Sequence, residues 1–183
     1  DATPPGQDIL RSVRTPRTGF AFLDEPVEKG ARLAFAHRGG ALHPDLLGLE
    51  NTLEAFRCAT QLGYRYLETD VQTTSDGVLM VFHDAVLDRV TDQVGPILSR
   101  TRAELEGVLI GGRAVVPTLE AALEELPDSR FNVDLKSPLC VEPMVALVER
   151  MQVHDRICVG SFEERVLRRF RSLTGGRVVT SCG

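Results

Sequence analysis

Short apolar runs that end in charged or histidine side chains recur between residues 34 and 84. The side chains at these run ends are His37, Arg38, Glu68, Asp70 and His83. Runs of this kind are typical of buried strands, and the ends of parallel strands meet on one side of a sheet. The pattern therefore predicts a site to which several successive strands each deliver a polar residue.

The order of the predicted elements indicates an α/β fold with a parallel sheet. Stretches with helical spacing alternate with six predicted strands, at 32–36, 65–71, 78–82, 131–136, 157–160 and 177–180. Charged residues at several strand ends favour a TIM-type (β/α)8 barrel, because the sites of such barrels form at that face. No G-x-G-x-x-G motif follows the first strand, which weighs against a dinucleotide-binding sheet.

We divide the chain into an irregular lead-in, residues 1–31, and a single barrel domain, residues 32–183. The lead-in is rich in proline, glycine and charge, and its Phe20, Phe22 and Leu23 are expected to cover one end of the core. Six strands fall roughly two βα units short of a complete barrel. We therefore expect the domain to be incomplete at its C-terminal side.

Composition narrows the classes of protein to which the chain can belong. Of 183 residues, 43% are hydrophobic and 26% are charged, which is typical of a globular protein. The net charge of −5 argues against nucleic-acid binding and requires that local cations or a metal hold any anionic ligand. Single cysteines and the lack of a ~20-residue apolar stretch predict a cytoplasmic protein without stable membrane insertion.

Two geometries fit the segment between Asp70 and His83. Asp76-Gly77 is a strong hairpin signal, and a two-residue turn there places Asp70 opposite His83. Alternatively, residues 71–77 return in an extended conformation and residues 78–82 form a parallel strand. Both geometries bring the histidine close to the two carboxylates of the preceding strand.

Residues suited to capping mark two predicted helix starts. Asn51 with Glu54 predicts a helix that begins after Asn51, and its apolar stripe stops at Gly63. Thr101 with Glu104 repeats the capping-box pattern and predicts a second, shorter helix.

The carboxylates of the second predicted strand suggest a metal site. Glu68 and Asp70 are two residues apart and so point to one face, where their like charges repel unless a cation lies between them. Asp134 has the same position on a later strand and is a candidate third ligand. Oxygen ligands suit Mg²⁺ or Ca²⁺ better than Zn²⁺. A solvated strand with outward polar residues is the alternative for the pair alone.

Two histidines and two cations surround these carboxylates in the predicted arrangement. His37 and His83 each end a strand, and histidine is the side chain best suited to proton transfer near neutral pH. Arg38 and Lys136 are cations at the same rim and are candidates for binding phosphate. Together these groups predict metal-assisted cleavage of a phosphodiester, with the histidines as acid and base.

Several spaced motifs give the sequence a resemblance to the glycerophosphodiester phosphodiesterases. The motifs are His37-Arg38-Gly39, Glu50-Asn51-Thr52, Glu68-Thr69-Asp70-Val71, Ser75-Asp76-Gly77 and His83-Asp84. The resemblance runs from about residue 33 to the end and includes Asp134-Leu135-Lys136 and Ser161-Phe162. Their number and order make the resemblance specific, whereas any one motif alone would be weak.

The resemblance implies a TIM-type barrel that lacks the helix after its second strand, which favours the extended return over the hairpin. It implies hydrolysis of a small-molecule glycerophosphodiester to an alcohol and sn-glycerol 3-phosphate. The implied roles are acid and base for His37 and His83, metal binding for Glu68 and Asp70, and phosphate binding for Arg38, assisted by Lys136. The family usually has Glu where this chain has Asp134, so a contact of this shorter side chain with the metal is expected to pass through water.

Two alternatives remain beside this reading of the sequence. One is a lipid-directed, phospholipase D-like phosphodiesterase that acts on intact lipid. The other is a non-catalytic fragment that binds a phosphorylated ligand. The sequence specifies neither the preferred head group nor the oligomeric state.

Overall fold

Strands and helices alternate along the chain in the computed structural model, which describes residues 18–24 and 33–182. The strands are β1 (Phe35–Ala36), β2 (Tyr66–Thr73), β3 (Leu79–Val81), β4 (Leu109–Ile110), β5 (Ala114–Val115), β6 (Arg130–Leu135), β7 (Ile157–Ser161) and β8 (Val179–Cys182). The α-helices are α1 (Leu53–Gln61), α2 (Leu119–Glu125), α3 (Val141–Met151) and α4 (Glu164–Thr174).

The main sheet is parallel and has the order β1-β2-β6-β7-β8, with β3 paired to β2 off this path. The α/β class and the count of about six strands are thus confirmed, and the sheet forms part of a TIM-type barrel. However, β3 runs antiparallel to β2. In the described ranges, five strands rather than six therefore run in the barrel direction.

The two faces of the sheet differ in chemistry because side chains alternate along each strand. On β2, Leu67 and Val71 join the main hydrophobic core, which the helices cover. Glu68 and Asp70 occupy the alternate positions and so lie on the opposite face. Full burial of an aliphatic side chain contributes about 1.5–3 kcal/mol. Packing on the helix side therefore stabilises a sheet whose other face carries charge.

Residues 71–81 form an antiparallel hairpin, so the extended return favoured by the family resemblance is wrong. Thr73 lies opposite Leu79, and the Thr74 N–H donates to the Val78 carbonyl across the turn. An antiparallel β3 is compatible with the parallel sheet because a later strand, β6, pairs with β2 in the parallel direction. Helix α2 makes the crossover from this region to β6.

The turn of this hairpin contains three residues, so the predicted register is wrong by one residue. The Phe82 N–H donates to the Asp70 carbonyl at 2.9 Å, which places Asp70 opposite Phe82 and not opposite His83. Gly77 has a φ of 80°. A left-handed residue at the end of the loop is the usual form of a three-residue hairpin connection.

Residues 74–117, which we call the excursion, carry a small core of their own. This core consists of Met80, Phe82, Leu87, Ile97, Leu105, Val108, Ile110 and Val116. Helix α2 follows the excursion directly, and the Val81 N–H donates to the Pro117 carbonyl at their junction. The helix that the resemblance implies to be absent after the second strand is therefore present, displaced along the sequence by the excursion.

Phe22 of the lead-in covers one end of the sheet, as expected. Its side chain is buried with Tyr66, Cys158 and Val179, which lie on three different strands. The Tyr66 hydroxyl donates to the Phe22 carbonyl at 2.7 Å. The rest of the lead-in, residues 1–17 and 25–31, and its boundary with the barrel domain at residue 32 lie outside the described residues.

Thr52, and not Asn51, caps helix α1. The Thr52 hydroxyl accepts a hydrogen bond from the Ala55 N–H at 3.1 Å, while Asn51 has a φ of 60° and turns its side chain toward the sheet. Asn51 is drawn away from the cap because it pairs with buried polar groups of β2. The capping box of Thr101 and Glu104 forms as predicted and begins a short 3₁₀ helix.

Gly39 lets the turn after β1 pack directly on helix α1. Its φ is 78°, and a Cβ there would lie 2.7 Å from the Phe56 ring and 2.9 Å from the Ala55 Cβ. We predict that Gly39→Ala lowers the free energy of unfolding by about 2–4 kcal/mol, from left-handed strain plus overpacking. Urea unfolding followed by circular dichroism measures this loss.

Gly77→Ala is the matched control, because Gly77 has a φ of 80° and nothing within 4 Å of its added Cβ. It should cost only the strain, about 1–2 kcal/mol. Equal losses in the two variants would contradict the close packing of Gly39 on α1.

Candidate active site

The buried carboxylate of Asp70 is the centre of the charged face. Its side chain is only 3% exposed. Lys136 Nζ lies 2.7 Å from Asp70 Oδ1, and Arg38 Nε lies 3.3 Å from Asp70 Oδ2. A buried charge is tolerated only when it is paired and hydrogen-bonded. The two cations supply the ion pairs, although Arg38 Nε makes no hydrogen bond within residues 18–24 and 33–182. Asp70 thus brings together the two predicted phosphate-binding residues, Arg38 and Lys136.

Asn51 fixes the orientation of the Asp70 carboxylate. Its Nδ2 donates to Asp70 Oδ2 at 2.9 Å, and its Oδ1 accepts from the Thr69 hydroxyl at 2.8 Å. The Asn51 N–H donates to the Arg38 carbonyl, which ties the turn after β1 to the same residue. The left-handed backbone of Asn51, which asparagine tolerates better than most residues, allows these contacts.

Glu68 lies two residues before Asp70 on the same face of β2 and has few cationic partners. Its carboxylate accepts from the Arg38 N–H at 2.9 Å and lies 3.9 Å from His37 Nε2. Burial, with repulsion from Asp70, raises the pKa of Glu68 to about 7, against the contact with Arg38. Burial and the neighbouring carboxylate therefore favour the protonated form of Glu68 up to about neutral pH.

Asp134 and Lys136 reach the site from the neighbouring strand and its end. Asp70 and Asp134 are opposite each other in the β2–β6 register, and Lys136 Nζ lies 2.6 Å from Asp134 Oδ2. Burial opposes the charge on Lys136, but hydrogen bonds to Asp134 and Asp70 raise its pKa nonetheless. The ammonium therefore lies between two carboxylates and stays protonated.

His83 is held through its own neighbour. His83 Nδ1 lies 2.5 Å from Asp84 Oδ1, and the His83 carbonyl accepts from the Gln72 side chain at 3.2 Å. A hydrogen bond from Arg89 lowers the pKa of Asp84 to about 2, and His83 contributes to the same shift. Because an ionised carboxylate can only accept, His83 Nδ1 donates, and Nε2 is left for proton transfer.

Arg38 and Glu50 connect the Asp70 cluster to His83. Arg38 NH1 donates to Glu50 Oε1 at 3.0 Å, and Arg89 contacts both Glu50 and Asp84. The hydrogen bond from Arg89 is the main cause that lowers the pKa of Glu50. His83 is thus linked to the cluster through ion pairs and does not touch Asp70 in any described contact.

The donor chemistry of the site fits a hard cation. Asp134 Oδ1 is buried and has no hydrogen-bond partner among residues 18–24 and 33–182. Glu68 and Asp70 add carboxylate oxygens, and oxygen donors are what Mg²⁺ and Ca²⁺ prefer. In the same ranges no three His, Cys, Asp or Glu side chains have the arrangement of a metal site. The metal roles of Glu68, Asp70 and Asp134 therefore stay predictions.

Sequence reasoning missed two residues of this site. Asn51 looks like a helix cap in the sequence, and its neighbour Thr52 takes that role instead. Arg89 is a charged residue in an irregular stretch without periodicity, so no sequence signal marks it. Pairing across long sequence separations, 19 residues for Asn51 with Asp70 and 39 for Arg89 with Glu50, is what places both in the site.

The raised pKa of Glu68 makes the stability of the metal-free protein depend on pH. The folded chain holds this proton up to about pH 7, whereas the group's usual pKa is 4.5. Unfolding therefore releases a proton in this window, and stability falls as pH rises from about 4.5 to 7. We predict that Glu68→Gln is more stable than the parent at pH 8 by about 2–3 kcal/mol, with the two converging near pH 4.

Urea unfolding in EDTA at several pH values measures this difference. Glu142→Gln is the control, because its exposed carboxylate pairs with Arg169, which lowers the pKa of Glu142. The control should show no gain at pH 8. A gap between Glu68→Gln and the parent that is the same at pH 4 and pH 8 would contradict the raised pKa.

Comparison with known proteins places the chain in a family. Residues 37–182 match the glycerophosphoryl diester phosphodiesterase family. A probable glycerophosphodiester phosphodiesterase 2 of Mycobacterium tuberculosis is 38% identical over 165 residues, which cover 90% of this chain and 61% of that protein. The human glycerophosphodiester phosphodiesterase 1 is 41% identical over 162 residues, covering 81% of this chain and 47% of that protein.

Solved structures support the same placement. The glycerophosphodiester phosphodiesterase of Agrobacterium tumefaciens aligns with a TM-score of 0.69 and 32% identity, covering 77% of this chain and 62% of that chain. An Oleispira antarctica phosphodiesterase, in complex with the product sn-glycerol-3-phosphate, aligns with a TM-score of 0.70 and 27% identity, covering 81% and 64%.

The chain spans about three fifths of the length of the first of these relatives. The matched region nevertheless includes the described contacts of Asp70, Glu68, Lys136 and His83. No helix in the described ranges is long and apolar enough to cross a membrane. By sequence and by structure, the chain belongs to the glycerophosphoryl diester phosphodiesterase family.

Proposed function

We propose that the protein hydrolyses glycerophosphodiesters to an alcohol and sn-glycerol 3-phosphate. The observation that carries the proposal is the cluster around Asp70, where Arg38 and Lys136 converge on one buried carboxylate. Cations fixed in this way can bind a phosphodiester in a chain whose net charge is −5. The product complex of the Oleispira antarctica relative supports the same reaction class.

Arg38 and Lys136 bind the phosphate in this proposal. The Arg38 side chain is 19% exposed and that of Lys136 16%, so both cations sit partly shielded from water and keep a solvent-facing side. Arginine offers a planar fork that fits two phosphate oxygens, and lysine offers a point charge. Both are oriented before substrate arrives, which reduces the reorganisation needed to stabilise negative charge in the transition state.

Glu68, Asp70 and Asp134 would hold a divalent cation, Mg²⁺ or Ca²⁺, in the same proposal. When bound, the cation would offset charge on the non-bridging oxygens of the phosphate. The buried, unpaired Asp134 Oδ1 and the raised pKa of Glu68 support this assignment, because both groups need additional positive charge. Asp134 is one methylene shorter than Glu, so an intervening water is expected between it and the cation.

His83 acts as the base and His37 as the acid in the mechanism that we propose. Asp84 accepts from His83 Nδ1 and can stabilise the imidazolium that forms when Nε2 takes a proton from the attacking hydroxyl. That hydroxyl belongs either to water or to the glycerol itself. In the second case the alcohol leaves from a cyclic phosphate, which water then opens to sn-glycerol 3-phosphate. His37, at 64% side-chain exposure, is open to solvent and can deliver a proton to the leaving alcohol.

The separate roles of the histidines lead to a leaving-group test. With glycerophosphocholine, we predict that His37→Gln and His83→Gln each lose activity by about 10²–10⁴-fold, because the reaction needs both proton transfers. With a p-nitrophenyl ester of glycerol phosphate, the leaving group needs no proton. The loss in His37→Gln should then shrink to less than about tenfold, while the loss in His83→Gln remains.

Steady-state kinetics on the complete protein measure these losses. His43→Gln is the control, because His43 accepts from the Asp45 N–H in the turn before α1 and touches none of the cluster residues in a described contact. Full activity in both His37→Gln and His83→Gln would overturn the acid–base assignment. A loss in His37→Gln that is equal for the two substrates would reject the role of His37 as acid.

A further inference from the structure

Arg89 links two parts of the molecule through a chain of alternating charges. The order of groups is Arg38, Glu50, Arg89, Asp84 and His83. Arg38 and Glu50 belong to the barrel rim around β1 and α1, whereas His83, Asp84 and Arg89 belong to the excursion. The chain of contacts therefore crosses from the proposed phosphate-binding side of the site to the proposed base.

The guanidinium of Arg89 makes two forks at once. Its Nε and NH2 donate to the two Asp84 oxygens at 2.6 and 3.1 Å. Its NH1 and NH2 donate to the two Glu50 oxygens at 3.0 and 2.6 Å. A single exposed ion pair contributes little, but a bidentate contact within a network defines a geometry. Lysine cannot reproduce this contact, because it has no planar fork.

The fork on Asp84 fixes the plane of the carboxylate that holds His83. Asp84 Oδ1 accepts from both His83 Nδ1 and Arg89 NH2, and Asp84 Oδ2 accepts from Arg89 Nε. Without the guanidinium, the carboxylate could rotate about its side-chain bonds, since it lies on an irregular segment after β3. The ring of His83 would then lose its fixed direction toward the substrate.

The fork on Glu50 supplies the fixed end of this arrangement. Glu50 is 14% exposed and also accepts from Arg38 NH1, which itself contacts the Asp70 cluster. Arg89 therefore positions Asp84 against the barrel rim and not merely against its own loop. A loop residue that is tied to the rigid sheet in this way can hold a base at a constant distance from the bound phosphate.

We propose that Arg89 is a positioning residue. It orients His83 through Asp84, and it holds the excursion in place next to Glu50 and Arg38. The inference rests on the proposed function for its effect on catalysis. Its structural part, the fixed Nδ1–H form of His83, stands without that function. Arg89 itself touches neither the predicted metal ligands nor Lys136 in the described contacts.

Kinetics on the complete protein with glycerophosphocholine test the effect on catalysis. Arg89→Ala should lower kcat roughly 10–100-fold, with KM changing by less than about threefold. This range is the one usual for residues that orient a metal-binding side chain through a hydrogen bond. Arg89→Lys should recover only part of the loss. In a double variant with Asp84→Asn, the two losses should not multiply, because both act on His83.

Arg113→Ala is the matched control for breaking an ion pair between the excursion and the barrel. Arg113 also forms a fork, onto Glu54 of α1, but this pair does not contact His83. Its kcat should stay within about twofold of the parent protein. An equal fall of kcat in Arg113→Ala and Arg89→Ala would show that any lost bridge lowers activity, and it would overturn the proposal.

The ¹⁵N NMR signals of the His83 ring provide a readout that does not require turnover, with His83→Gln identifying them among the four histidines. The parent should show the Nδ1–H form of the neutral ring, and Arg89→Ala a mixture with the Nε2–H form. An unchanged tautomer in Arg89→Ala would overturn the proposal. If the tautomer shifts but the parent hydrolyses no glycerophosphodiester, the proposed function fails while the positioning role holds.

Discussion

The buried carboxylate of Asp70 is the constraint on which the site depends. A charge at 3% exposure must be paired, and three residues from three different segments, Lys136, Arg38 and Asn51, meet it directly. Removing one partner of such a cluster leaves an uncompensated buried charge, which costs several kcal/mol. The same contacts that make the folded chain tolerate Asp70 therefore position the cations that the proposed reaction uses.

The parallel sheet makes this arrangement possible because its apolar side chains lie on one face and its charged side chains on the other. On the helix side, apolar residues of β2 and β6 such as Leu67 and Val133 are completely buried. On the other side, the register places Asp70 opposite Asp134. Buried carboxylates so close together oppose folding: burial, followed by repulsion from Asp70, raises the pKa of Glu68. Packing by the helices offsets this cost.

Much of this architecture could be predicted from the sequence. Local apolar periods predicted the alternating strands and helices, and spacing along one strand placed Glu68 and Asp70 on one face. What could not be predicted depends on tertiary contacts. The hairpin register differs by one residue because the turn uses Gly77 in a three-residue loop. Asn51 leaves the helix cap because Asp70 and Thr69 offer stronger buried partners.

The structure of the excursion also depends on tertiary contacts that could not be predicted from the sequence. Its core includes Phe82 and Ile97, which no short-range period connects, and it brings Arg89 to Glu50 across 39 residues. The family resemblance favoured a parallel return before His83, whereas β3 runs antiparallel to β2. A hairpin and a parallel return have nearly the same local pattern, so only the global pairing of strands distinguishes them.

The proposed reaction can be followed by ³¹P NMR of glycerophosphocholine incubated with the complete protein. We expect the signal to convert to that of sn-glycerol 3-phosphate when Mg²⁺ or Ca²⁺ is present, and we expect EDTA to stop the conversion. Conversion that continues unchanged in EDTA would contradict the metal assignment. Formation of phosphocholine, or no conversion by the folded protein with either cation, would contradict the proposed reaction itself.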